Sequence, residues 1–126
     1  MKFLCLGYLN SAKMDASPKE KINAVMSECP PHLEKLYESG QVILDVGLTA
    51  ETICLRQENG QVEVMDGPLI ETQETIGSAF IIEAKDMEEA IQIASLHPTL
   101  QVSAGEQFGW RVEISPIHYF ENFSSP

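Results

Sequence analysis

Residues 52–84 read TICLRQENGQVEVMDGPLIETQETIGSAFIIEA, and the division of this stretch into elements decides the fold. TICLRQ and QVEVM are short alternating runs on either side of Glu58-Asn59-Gly60. Asn-Gly between two such runs is the strongest short hairpin signal, because both central residues of a type I′ turn need φ > 0. At Asp66-Gly67-Pro68 the chain turns: Gly67 accepts positive φ, while Pro68 presets φ and removes a backbone donor. SAFIIEA then reads as a separate strand. Turn chemistry alone leaves Glu71 and Glu74 unexplained, which keeps Asp66 open as either a turn residue or a chemical one.

Upstream, Val42, Leu44, Val46 and Leu48 alternate with Ile43, Asp45 and Gly47, the period of a strand. Before it, Ser17 as N-cap, Pro18 at the first helical position and Glu20 three residues after the cap open a helix. Its apolar face is Ile22, Val25, Met26 and Cys29. Pro30 and Pro31 interrupt that face, and Leu33, Leu36 and Tyr37 resume it until Gly40, which predicts two helical segments or one sharply kinked helix. KFLCLGY at the start has the nearly continuous apolar character of a central strand. Downstream, Asp86 as N-cap and Glu89 as its capping-box partner start a helix with Met87, Ala90, Ile91 and Ala94 on one face. Gly105 and Gly109 bracket a loop, and WRVEI is the last strand.

With the hairpin treated as an insertion, the order is βαββαβ, an α+β ferredoxin-like sandwich with two helical elements on one face of an antiparallel sheet. One domain over residues 1–117 and a C-terminal tail over 118–126 is the expected organisation. Several strands are apolar on both faces, and two helical elements cover only one of them. Pairing with a second copy covers the other, which predicts a homodimer through sheet-to-sheet contact.

The 126 residues carry 19 acidic and 8 basic side chains, a net charge of −11. The scattered basic residues form no patch, which argues against nucleic acid as a partner. No apolar run is long enough for a bilayer, and MKFLCLGYLN is too short for a secretory signal, so a soluble, cytoplasmic protein is expected. Cys5, Cys29 and Cys54 are odd in number and contain no CxxC pair, which points to buried thiols rather than disulfides or thiolate zinc. His32, His97 and His118 show no HxxxH or HxH spacing, and no P-loop, dinucleotide fingerprint or nucleophile elbow occurs; no metal or cofactor is expected.

The block DGPLIETQETIGSAFIIEAKDMEEAIQIA, followed by GWRVEISPI, resembles the signature of the YCII-related superfamily, in particular its DGPF-motif branch. The resemblance runs over essentially the whole chain. It implies a ferredoxin-like fold that dimerises as an α+β barrel, and a His/Asp pair in a cleft near the dimer interface. The matching positions are His32, in PPHLEKLYESG, and Asp66, in MDGP. Three positions depart from the pattern: Leu69 replaces an aromatic residue, Gln73 a lysine and Ser115 an arginine. Two of these changes remove positive charge, which disfavours an anionic ligand.

In the catalytic reading, Asp66 orients one nitrogen of His32 and the other exchanges a proton with substrate, in a cofactor-free elimination or isomerisation. Arg56, Gly67, Pro68, Glu71 and Glu74 are the candidate ligand-binding residues around the pair. Each has a plainer alternative. His32 can be a solvent-facing helix residue, Asp66 and Gly67-Pro68 a turn, Glu71 and Glu74 a solvated loop, and Arg56 the ion-pair partner of one of these acids. His97, before Pro98 at a helix end, reads as a cap on the last carbonyls. Catalysis and a non-catalytic metabolite-binding or protein-interaction module therefore both remain open.

Overall fold

The computed structural model describes residues 1–67 and 73–123. Strand β1 (Lys2–Asn10) leads into helices α1 (Ser11–Asp15), α2 (Lys19–Met26) and α3 (Cys29–Glu38), and then strand β2 (Val42–Gly47). A hairpin of β3 (Ile53–Glu58) and β4 (Gln61–Asp66) precedes β5 (Glu74–Glu83). Helix α4 (Met87–Ala94), the short α5 (Pro98–Gln101), a 3-10 turn (Ser103–Gly105) and β6 (Arg111–Pro116) complete the chain. The main sheet has the order β2-β5-β1-β6, antiparallel at every pairing, and the hairpin pairs only with itself. With the hairpin set aside, this is the strand order of a ferredoxin-like α+β fold.

Local signals account for most of the boundaries. Asn59 (φ 52°) and Gly60 (φ 76°) form the positive-φ pair that the Asn-Gly turn requires. Asp86 accepts from the Glu89 N–H at 2.8 Å, and the Glu89 carboxylate reaches back to the Lys85 N–H at 3.1 Å and the Gln41 side chain at 3.0 Å. The capping box thus also ties α4 to the start of β2. Pro30 and Pro31 fall in the first turn of α3, where their missing N–H groups break no helical bond, so two separate helices form. Gly40 ends α3 at φ 72°. One expected cap is not used as such: α2 starts after Pro18 with no side-chain cap, and the Ser17 hydroxyl instead donates to the Lys13 carbonyl at 3.1 Å, because α1 occupies the preceding turn.

Phe3, Cys5, Phe80, Ile82, Ala84, Ala90 and Ala94 form the core between the sheet and α4. A second cluster of Val25, Val102 and Phe108 holds α2 against the loop before β6, with Trp110 packed on it. Pairing registers show which residues share a face. Phe3, Cys5 and Gly7 pair with Ile82, Phe80 and Ser78 on the helix side; Leu4 and Leu6 pair with Ile81 and Ala79 on the other. In β2, an irregularity between Val42 and Leu44 fits one extra residue, Ile43, into the strand. The simple alternation expected for this strand is thereby broken: Val42 and Asp45 share the helix face, and Leu44 joins the opposite face. That opposite face carries Leu44 at 41% exposure and half-buried Leu4, Leu6 and Ile81, and no helix lies over it among the described residues. At the C-terminal end, the Ile117 N–H donates to the Lys2 carbonyl, and Phe120 lies 5.3 Å from the Lys2 ammonium.

Candidate functional site

Three short side chains open a space between sheet and helices. Gly7 pairs with Ser78 on one side and Ser78 with Gly47 on the other, so one row across β1, β5 and β2 carries almost no side-chain volume. The row cannot be filled cheaply at Gly7, where a Cβ would stand 2.3 Å from the Ser78 hydroxyl. Around this floor the lining comes from Cys29, Leu33 and Tyr37 of α3, from Met14 and Trp110, and from His97-Pro98-Thr99. The result is a cavity of about 460 Å³, in the size range that takes a small organic molecule.

The next row of the sheet carries the polar chemistry. Asp45 pairs with Phe80, and the His97 ring stacks on the Phe80 ring at 4.7 Å between centroids and 4° between planes. His97 is 6% exposed, the only buried polar or charged residue among those described. As N-cap of α5, its Nδ1 accepts from the Thr99 N–H at 3.1 Å. An accepting Nδ1 carries no proton, so the neutral ring holds its proton on Nε2. His97 lines the cavity, and no buried side-chain nitrogen or oxygen among the described residues lacks a partner, so the unpaired Nε2 is the edge that meets the open space. Burial lowers the His97 pKa from its ordinary value, and the negative charge of Asp45 opposes that shift only in part. The Tyr37 hydroxyl donates to Asp45, which pushes the Tyr37 pKa up to about 12 and leaves the phenol protonated at neutral pH. Tyr37 and Asp45 are hydrogen-bonded to each other, the charge of Asp45 reaches His97, and all three line the same carbon-rich space.

The residues singled out in the sequence lie elsewhere. His32 is half-buried on α3, beside the cavity-lining Leu33 but not itself in the lining. Asp66 is exposed at the end of β4, opposite Ile53. No hydrogen bond or ion pair within the chain joins His32 to Asp66. Arg56 is exposed on the hairpin, with its nearest acid oxygen among the described residues, on Glu58, at 3.9 Å. Glu74 pairs with Arg111 instead, through two bonds of 2.6 and 3.0 Å, while Arg111 lies 4.2 Å above the Tyr8 ring. Of the two acids expected as partners of Arg56, Glu74 is thus taken by Arg111 across the sheet, and Glu71 lies outside the described residues. Gly67 does not adopt positive φ; it is small because a Cβ would meet the Thr52 methyl at 2.9 Å, and its N–H donates to the Thr52 carbonyl at 2.9 Å. Pro68 and Glu71 lie outside the described residues, as does Leu69.

His97 does cap a helix, but the following one rather than the preceding one, and this turns its ring into the core. Asp45 and Tyr37 were not singled out from the sequence. Their signal was an acid inside an otherwise aliphatic strand, VILDVGL, with a tyrosine in the last turn of the helix before it.

Comparison with known proteins adds a family. The description of the YCII-related domain matches residues 1–111. An uncharacterised protein of Rhizobium meliloti (strain 1021) is 28% identical over 96 residues, which covers 75% of this chain and 77% of that protein.

Proposed function

Since this chain belongs to the YCII-related domain family, we propose that its cavity binds a small molecule and that His97 and Asp45 perform cofactor-free acid/base chemistry on it, an isomerisation or elimination. The observation that carries this reading is the buried His97, oriented by a backbone N–H at one nitrogen and open to the cavity at the other. A histidine so held gives a fixed tautomer and a fixed direction, the two requirements for proton transfer to or from a ligand. Tyr37 acts through Asp45 as a positioning residue. The assignment to the DGPF-motif branch belongs to this proposal, as do a cytoplasmic location and a homodimer. The homodimer is supported by the apolar sheet face carrying Leu4, Leu6, Leu44 and Ile81. Pairing of His32 with Asp66 stands as a separate proposal, tested by a double-substitution cycle of His32→Gln and Asp66→Asn on turnover; additive effects would separate the two residues.

Binding in the cavity is tested by amide NMR with p-cresol as a neutral probe. Saturable shifts are expected at Gly7, Ser78 and Thr99. Gly47→Leu should weaken them about tenfold or more, the effect of losing roughly 1.4 kcal/mol of binding. A Cβ at Gly47 meets nothing within 4 Å, so this variant fills the space without forcing the backbone. Shifts scattered over the surface, or unaffected by Gly47→Leu, would refute the cavity as the site. Saturable binding by a substrate that is never turned over would leave the non-catalytic binding module.

A further inference from the structure

The charge and donor pattern of the cavity narrow what it can hold. No lysine or arginine lines it among the described residues, and Asp45 is its only carboxylate. Arg111 lies over the ring of the lining residue Tyr8, and it is already held by Glu74 and Glu113. An anionic ligand would lose its hydration with no counter-charge and would face Asp45 as well. A donor also has to be met. With Nδ1 accepting from the Thr99 N–H, neutral His97 presents Nε2–H to the cavity and needs an acceptor there. The Asp45 carboxylate, accepting from the Tyr37 hydroxyl, still has lone pairs to spare.

On the reading of the cavity as a small-molecule site, we infer that its ligand is an uncharged, carbon-rich carbonyl compound with an acidic α-C–H, with His97 as hydrogen-bond donor to the carbonyl oxygen and Asp45 as base. This reverses the roles usual for a His/Asp pair. The Asp45 carboxylate takes the α-proton, the C–H electron pair becomes the C=C bond, and the carbonyl π pair moves to oxygen. The enolate oxygen is held by the His97 Nε2–H. Return of the proton from Asp45 to the same carbon gives exchange, and delivery to the far end of a conjugated system gives isomerisation. No oxidant, reductant or second substrate is consumed. A neutral imidazole suits this task, since it stabilises the oxyanion without first having to lose a charge.

The test uses three probes of one carbon frame with the full-length protein: phenylacetone, phenylacetate and 2-phenylethylamine. Affinity is read from the Thr99 amide by NMR, and exchange from loss of the phenylacetone α-proton signals in D2O. Phenylacetone should bind, phenylacetate should not, and exchange should exceed the buffer rate. Asp45→Asn keeps an acceptor for Tyr37; it should retain phenylacetone binding and lose about 10²-fold or more of the exchange rate. Phenylacetate binding as tightly as the ketone, or the amine binding more tightly than either, overturns the charge rule. Bound phenylacetone that does not exchange, or exchange that persists in Asp45→Asn, overturns the assigned roles. Saturation by none of the three defeats the cavity reading itself.

Discussion

Asp45 occupies a position where aliphatic neighbours on both sides would lead one to expect another valine, and its effect reaches three elements. It holds the Tyr37 hydroxyl of α3 and adds a negative charge near His97 before α5. The competition at His97 is won by burial, so its folded pKa lies below the value near 6.5 of an exposed imidazole. The sign of the consequence follows. Above that value the ring is neutral in both states and its contribution to stability is complete. As pH falls toward the lower folded value, the unfolded chain takes up the proton first and stability is lost. His97→Asn keeps a capping oxygen and removes this titration. The urea midpoint of the wild type should therefore fall more than that of the variant between about pH 7.5 and about pH 5.5. Equal falls would assign the acid sensitivity to another group. Phe80, fully buried beneath the His97 ring, carries more of the stability. Phe80→Ala should cost about 3–5 kcal/mol in chemical denaturation. A cost under about 1 kcal/mol would show that the core collapses around the gap.

Elements with strong local signals form where those signals stand. The Asp86 cap accepts from Glu89 with good geometry, and Asp86→Ala should destabilise by about 1 kcal/mol. For a chain of this size that is a fall in Tm of roughly 3–5 °C by calorimetry; an unchanged Tm would mean that the packing of α4 alone fixes its start. The hairpin shows how far local signals reach. Its turn was legible from Asn59-Gly60, and its register follows from that turn, with Leu55 opposite Val64. What it packs against was not legible. Ile53, Leu55, Val62 and Val64 lie on one face and are 61%, 63%, 69% and 67% exposed. A two-stranded ribbon alone is marginally stable. Ser17 shows the opposite limit, since a good capping residue was displaced by a short helix with little sequence signal of its own.

At the scale of the molecule, the two faces of the sheet differ. The helix face is closed over by α4 and α5 and contains the cavity; the other face presents leucines and isoleucine. The proposed dimer predicts a particle of twice the chain mass by light scattering at micromolar concentration. Leu44→Lys should halve it by placing a charge in a desolvated interface. A wild type of single-chain mass would refute the dimer outright.

The order of the strands, the hairpin turn, the α4 cap, the interruption at Pro30-Pro31 and the family resemblance were legible along the chain, because each rests on residues close together in it. The site, by contrast, exists only once the sheet is assembled. Gly7, Asp45, Ser78 and His97 are separated by long stretches of sequence, and they meet because β1, β2 and β5 align them in adjacent rows and because capping α5 turns the His97 ring inward. The extra residue at Ile43 decides which face Asp45 occupies, and periodicity alone carries no sign of it. A side chain's facing depends on the register of its neighbours, and register is set across the sheet rather than along the strand.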